Sequence, residues 1–486
     1  MSKPIPALTR STAGGVAWSY LSVLLTFGLQ LVYTAVMSRL LVPADFGLVA
    51  AALLGLRAVG YLSRFGLGSA VVQRSNLSER ESQVAFTVSV GLAVVATAVG
   101  VAMAPLVADL LGQSAVTNVM RWTSVGILLT ASSTVPEGML RRRLRFRALS
   151  VIQVVSTAIG FLLVGIPLAV RGGGVWSLVA ASVTQAAVQF SLAAFLERGC
   201  LRVAFDRPFA RALLSFGGLV AATGFLEFLS SSVDTFAVAR WNGAAALGQY
   251  SRATTLVGLP IEQATNATSR VLLPSFARVQ DDPARFSRGL LCGVGIVSLV
   301  ISLPVALAAV TAAPLVRVVL GTGWAQAANV LPFVGAAYGI SMLLHLPAVA
   351  AEARGLIKLK FRIQALVLVV FLGLVAAVAA GPSNLKWFGA AWVAAELVRL
   401  TLYLVFVVPE LDVPRWAVLR RFLSSGLIAS LGALAAWLVV RRWEGDSFLA
   451  LLFAGFAGFS AGGIALMLPT SRVIRQDIRD VVSRIR

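Results

Sequence analysis

Apolar runs of 19 to 28 residues, separated by short polar connections, follow one another along the whole chain. Crossing the bilayer core takes about 20 apolar residues as a helix. The pattern predicts spanning helices over 13–37, 47–73, 83–108, 118–138, 148–170, 175–196 and 212–239. Seven more are predicted over 248–272, 289–316, 326–351, 363–381, 387–409, 422–440 and 447–469. The chain therefore reads as an all-α polytopic membrane protein of about 14 spans. The first run, 25 residues long, exceeds the ~7–15 residues of a signal-peptide core and should stay as a helix.

Composition agrees with that reading and removes the alternatives. Of 486 residues 58% are hydrophobic and only 13% charged, with a mean hydropathy of +0.88. A soluble domain carries roughly 25% charged residues, so this chain could not coat itself for water. Disorder, a fibrous repeat and a disulfide-built secreted scaffold are excluded as well. Only Cys200 and Cys292 are present, far apart and without a CxxC pair, so both read as small buried apolar residues rather than zinc ligands.

The net charge of +21 would suggest nucleic acid in a soluble protein. Its distribution says otherwise. With a cytoplasmic N-terminus, the inner segments hold 28 Lys and Arg and the outer loops 7, the other six lying within spans. Cytoplasmic loops are enriched in these residues, so both termini are expected inside and no nucleic-acid partner is expected. The Arg141–Arg147 cluster sets topology and faces anionic lipid. No outer loop exceeds 9 residues, and the longest inner connection is the 16 residues of 273–288. No catalytic domain fits in such loops, so no catalytic residue is assigned and the chain is not expected to be an enzyme.

The sequence also repeats itself. Residues 104–112, APLVADLLG, align with 313–321, APLVRVVLG, at an offset of 209. Residues 39–47 align with 240–248 at an offset of 201, and an eight-residue insertion reconciles the two. Spans 1–6 and 7–12 are thus two copies of one six-helix unit. An even number of spans makes the copies parallel, related by a pseudo-twofold axis along the membrane normal, an arrangement known among transporters. The expected organisation is an N-terminal lobe over 1–196, a cytoplasmic linker over 197–211 and a C-terminal lobe over 212–409. An additional helix pair over 410–469 and a basic cytoplasmic tail over 470–486 complete it.

Several segments carry a family resemblance. They are Ser38-Arg39-Leu40-Leu41-Val42-Pro43-Ala44-Asp45-Phe46-Gly47, Phe65-Gly66-Leu67-Gly68-Ser69-Ala70-Val71-Val72-Gln73, Leu140 to Arg147, and Gly174-Val175-Trp176. In the second half come Val233-Asp234-Thr235, Leu247-Gly248-Gln249-Tyr250, Leu273 to Arg278 and Asp281-Asp282-Pro283. As a set they resemble the polysaccharide-transporter branch of the multidrug/oligosaccharidyl-lipid/polysaccharide (MOP) exporter superfamily, close to the Wzx-type lipid-linked oligosaccharide flippases. The resemblance covers roughly residues 11–350. It implies a MATE-like fold and a flippase moving an undecaprenyl-pyrophosphate-linked oligosaccharide across the bacterial cytoplasmic membrane by alternating access in a central cavity. The implied partners are the lipid-linked glycan, anionic lipids, and the polymerase and glycosyltransferases of polysaccharide assembly. It implies no cofactor beyond a coupling ion, H⁺ or Na⁺.

Charges inside the membrane nominate the site, because a buried charge there is costly unless it faces a cavity or a partner. Arg57 and Arg64 are seven residues apart and share a face of span 2. Glu262, at the offset of 201, corresponds to Tyr61 on that same face, so it is expected to point towards the two arginines. The arginines suit a pyrophosphate, since guanidinium forks match phosphate oxygens; the other reading is a structural Arg–Glu pair. Arg252 and Arg270, near the ends of span 8, either join the substrate site or snorkel to the headgroups. Glu227 and Asp234, with Ser230 and Ser231 between them, could hold Na⁺ or carry a proton, as could Glu262. Glu396 and Arg399 neutralise each other, and His345 alone makes no metal site. Two alternatives compete with the flippase: a cation-coupled drug or small-molecule antiporter of the same fold, and a membrane glycan polymerase, which the short outer loops disfavour.

Overall fold

The computed structural model of the chain describes the backbone of residues 6–63, 78–278, 282–381, 384–443, 447–468 and 471–485. Side chains are described for 18, 21–60, 78–211, 228–261, 282–381, 384–443, 447–468 and 471–479. Every regular element among these residues is helical. The helices are α1 (Pro6–Leu40), α2 (Pro43–Ser63), α3 (Glu79–Leu111), α4 (Val116–Arg142), α5 (Phe146–Val170), α6 (Val175–Leu196) and α7 (Arg207–Arg278). Then come α8 (Pro283–Val310), α9 (Ala312–Val319), α10 (Ala325–Ala353), α11 (Ile357–Ala380), α12 (Leu385–Glu410), α13 (Arg415–Arg442), α14 (Ser447–Ala465) and α15 (Arg472–Ile485). Among the described residues, 11 helices are long and apolar enough to cross a membrane. The protein is a multi-pass membrane protein.

Local chemistry sets the helix ends. Ser78 caps α3 through its Oγ, which accepts from the Glu81 amide at 3.2 Å, while Glu81 accepts from the Ser78 amide at 2.8 Å. This reciprocal box satisfies two donors that the first turn would otherwise leave open. Gly112 ends α3 in the left-handed region, with φ 67°. The 72-residue α7 is two helices joined at a kink: Gly243, at φ 80° and ψ −178°, breaks it between the predicted seventh and eighth spans. Two stretches, Ala158–Gly165 and Tyr403–Val407, widen to π-helix just before Pro167 and Pro409. Proline has no amide to donate into the preceding turn, and the wider turns absorb the defect.

Packing divides the chain into two compact units, Met1–Gly248 and Gln249–Arg486. In the first, α4 lies at the centre, against α2, α3 and α6. It is less apolar than the helices around it because it carries Thr123, Ser124, Ser132, Ser133 and Glu137. Most of them are paired inside the unit: Thr123 and Ser124 donate back to Val119 O and Met120 O at 2.7 Å each, and Ser133 donates to Glu137 at 3.0 Å; across the helices, Ser89 Oγ of α3 donates to Ala131 O at 2.8 Å. Interhelical and back-bonded hydroxyls are how polar spans satisfy themselves in lipid. In the second unit α8 is central, against α10, α13 and α15. Gly432 of α13 and Gly458 of α14 face each other so closely that a Cβ on Gly432 would stand 2.7 Å from Gly458 O. Small residues at that crossing join the helix pair to Leu303 and Leu307 of α8.

The basic end of the first unit is ordered by a buried carboxylate. Glu197 meets Arg143 at 2.9 Å and Arg145 at 3.5 Å; its carboxylate is 3% exposed, while both arginines stay about half exposed. Cys200, one turn beyond, is buried. Burial and the neighbouring Glu197 carboxylate push its thiol up to about 11. A raised thiol pKa leaves almost no thiolate at neutral pH, and the thiolate is the reactive form. Cys200 should therefore resist maleimide at pH 7.5 in the folded protein and react at once in SDS, as mass spectrometry of the labelled peptide will read. The last helix, α15, was expected only as a basic tail. That segment is a strongly amphipathic helix packed on α8 and α13.

Candidate functional site

The candidate intramembrane charges differ in their settings. Arg57 lies in the second half of α2 and is exposed on the surface of the first unit. Arg64, Glu227, Glu262 and Arg270 lie outside the residues whose side chains are described, so the expected approach of Glu262 to Arg57 and Arg64 falls there too. Asp234 is described: it is 3% exposed in the first half of α7, with the Thr235 hydroxyl 3.4 Å from its Oδ1. Arg252 is half-buried near the start of the second half of α7.

Two buried polar clusters stand beside these. In the first unit, Glu137 of α4 accepts from Gln189 of α6 at 2.7 Å and from Ser133 at 3.0 Å, and Arg141 lies 3.3 Å from its other oxygen. One helical turn along α6, Gln185 donates to Thr157 of α5 at 3.1 Å. Together they make a polar track across α4, α5 and α6. In the second unit, Glu396 and Arg399 of α12 form an ion pair. Arg399 also donates to Ser341 of α10 at 2.8 Å, and the Trp392 indole lies 3.3 Å from Glu396. The ring of Tyr338 meets that indole edge-on at 4.9 Å. Every charge in this cluster has a partner of opposite sign, so it holds α10 against α12 without presenting a free charge.

The most telling geometry is at the repeated segments. A Cβ on Gly47 would stand 1.7 Å from Ala244 O, and one on Gly248 would stand 1.8 Å from Pro43 O. At the offset of 201, Gly47 corresponds to Gly248 and Pro43 to Ala244. The contact is therefore reciprocal: each segment places its glycine under the other's backbone carbonyl. That is how a two-fold interface is built, with residue i on j and j on i. Only hydrogen at both Cα positions permits it. Around the seam, Gln113 donates to Ala239 O at 2.7 Å, and an Arg240 nitrogen lies 3.4 Å from where a Gly112 Cβ would be. The α1–α2 turn, the end of α3 and the Gly243 break thus close on one another at one end of the first unit.

Residues 36–329 match the family described as polysaccharide biosynthesis protein. The chain belongs to that family. It is 27% identical to the succinoglycan biosynthesis transport protein ExoT of Rhizobium meliloti, over 68% of this chain and 67% of that one. It is 24% identical to the lipopolysaccharide biosynthesis protein WzxC of Escherichia coli, over 57% and 56% of the two chains. Among solved structures, its fold is similar to that of the lipid II flippase MurJ in an inward closed conformation. The TM-score is 0.74 at 11% identity, over 93% of this chain and 97% of that one. A multidrug-resistance MATE transporter of the MOP superfamily in an inward-facing conformation follows at 0.59 and 15% identity, over 84% and 98%. At such identities the likeness is one of fold, and the fold is that of the MOP exporters.

Within this family member, sequence reasoning missed the glycine seam and the Glu137–Gln189 cluster. For the seam the signal was available: the aligned segments both end in glycine, at 47 and 248. Glu137 was not singled out, and its partner Gln189 lies 52 residues away along the chain.

Proposed function

We propose that this protein is a flippase that moves a lipid-linked oligosaccharide across the cytoplasmic membrane by alternating access, with both termini on the cytoplasmic side. The family match over residues 36–329 carries the reading, and relatives named for succinoglycan transport and lipopolysaccharide biosynthesis support its substrate class. The fold of a lipid II flippase supports the mode of action. Short connections between helices leave no room for a catalytic domain, which favours transport over glycan polymerisation. Arg57, Arg64, Arg252 and Arg270 are the candidates for the pyrophosphate and glycan, because guanidinium pairs with phosphate oxygens in a fixed fork. Glu227, Asp234 and Glu262 are the candidates for coupling to H⁺ or Na⁺.

The test is reconstitution. Proteoliposomes loaded with undecaprenyl-pyrophosphate-linked repeat unit should convert it from protected to accessible towards an added glycosidase, in proportion to the protein present. Equal accessibility in protein-free vesicles, or none with protein, would reject the reading. Sidedness is tested separately. Arg171→Cys should label with an impermeant maleimide from outside intact cells, and Arg285→Cys, 73% exposed at the side chain, should label only after the cells are opened.

A further inference from the structure

The second unit contains a cavity of about 460 Å³ that none of the assignments above uses. Small-molecule sites run from ~300 to 1,000 Å³. Four helix ends wall it: α9 and the first turns of α10 on one side, the last residues of α13 and the first of α14 on the other. Its polar lining is Arg317, Thr322, Asn329, Trp443 and Ser447, set over small apolar residues. In the sidedness proposed above, all four ends lie on the outer face.

The sequence shows why the second unit has such a place. At the offset of 209, Arg317 stands where the first copy has Ala108, which is 2% exposed inside the continuous helix α3. In the second copy the helix stops at Thr311, and the short α9 buries Ala312, Pro314 and Val316 while leaving Arg317 exposed. The opposite wall, α13 and α14, belongs to the pair outside the repeat. Charge marks the same spot. Of the 7 basic residues in outer loops, Arg317 lines the cavity and Arg441 and Arg442 immediately precede Trp443 in its wall. Arg441 is held 5.0 Å over the Trp437 ring. Glu444 and Asp446, next in the chain, lie outside the described residues. Outer loops are poor in arginine as a rule, so Arg317, the one that lines the cavity, is set there against the trend. The Trp443 indole N–H is buried with no acceptor among the described residues, and its ring leans on Phe453 at 5.1 Å.

We propose that this cavity is a saccharide site on the outer face, taking the glycan end of the substrate once it has crossed. The chemistry is that of a polyhydroxylated ring: a guanidinium fork, an amide, two hydroxyls and an indole, converging on space for about one or two sugar rings. A phosphate alone would use the arginine and leave the other four groups idle. An acyl chain would use none of the five. The proposal rests on the flippase reading and adds to it a place where the glycan is held before release.

The test uses the purified full chain in detergent and, as probe, the lipid-free repeat oligosaccharide freed by mild acid from the host's own polysaccharide. Saturable binding is expected by titration calorimetry. Arg317→Ala and Asn329→Ala should each weaken it about tenfold or more, the scale of one hydrogen bond to a charged or well-placed group. Ala328→Phe, which fills the space, should abolish it with an unchanged melting curve. No saturable binding, or binding unaltered by all three variants, overturns the proposal. So does displacement of the sugar by phosphatidylglycerol in mixed micelles, which would make the occupant a lipid headgroup. Flipping by reconstituted wild type is measured beside it. Flipping without oligosaccharide binding would sink the cavity assignment alone. Arg317-dependent binding by a protein that flips nothing would sink the flippase reading and leave the saccharide site standing.

Discussion

Gly47→Val and Gly248→Val should each abolish glycan export while leaving the protein inserted and abundant. A side chain at either position meets a backbone carbonyl, at 1.7 Å from Ala244 O or 1.8 Å from Pro43 O. A rotamer change cannot relieve it, because the clash begins at Cβ. The two segments must move apart. Overpacking of this kind costs about 1–3 kcal/mol where neighbours can shift, and more where they cannot. Each 1.4 kcal/mol is a tenfold loss in the population of the closed seam. Alanine at either site should give the milder form of the same defect. Gly47→Ala/Gly248→Ala should cost less than the sum of the singles, since the first substitution has already opened the seam the second would disturb. The readout is Leu41→Cys, 8% exposed beside the seam, in a background with Cys200 and Cys292 replaced. Its labelling by an impermeant maleimide should rise at least tenfold in the valine variants. Unchanged labelling together with full export would show that the seam takes no part in transport. A control at Gly28, where nothing lies within 4 Å of an added Cβ, should be silent.

That seam also shows what a sequence does and does not disclose. The helices were legible because lipid imposes one rule, a long apolar run with its backbone bonds internal, and the runs are long. The break at Gly243 was legible too, from polarity between the seventh and eighth spans, although the chain there stays nearly helical on both sides. The meeting of Gly47 with Gly248 was not read, because a repeat tells which segments are equivalent and not that they touch. The span of α4 was legible from its apolar run, but the pairing of its polar groups was not: Thr123 and Ser124 bond back to Val119 O and Met120 O, and Glu137 accepts from Gln189 of α6, a partner that no local window contains. The family resemblance reached the transporter class through a set of short motifs, several of them at helix ends, where glycine, proline and arginine have backbone or headgroup reasons to be. The cavity of the second unit lies between a repeat and the pair outside it; the repeated segment 313–321 lines one wall, but nothing in the repeat says that the added pair meets it there.

Asp477→Ala should release the C-terminal helix and destabilise the second unit more than any other single change at that end of it. The residues past 470 were expected as a basic tail, yet they form α15, whose Ile474 is fully buried against Ile428 and Ala465. Asp477 sits on the same buried side and takes both forks of Arg421 from α13, at 2.8 Å each; the two side chains are 6% and 12% exposed. The backbone of α8 makes room for that carboxylate: a Cβ on Gly295 would stand 2.3 Å from Asp477 Oδ2. Removing one partner of a buried pair leaves the other charge desolvated and alone, at a cost of about 3–5 kcal/mol. Asp477→Ala and Arg421→Ala should therefore both expose the tail to trypsin at Arg472 and Arg475 and lower the melting midpoint in detergent. Gly295→Val should do the same without touching either charge. Arg421→Met/Asp477→Leu should recover much of the loss, because a well-packed apolar pair can replace a buried ion pair at little or no cost. If the double variant is as unstable as Asp477→Ala alone, the instability does not come from a stranded charge. The pair would then matter for the register it sets between α13 and α15, and only the bidentate geometry of arginine with aspartate could supply that.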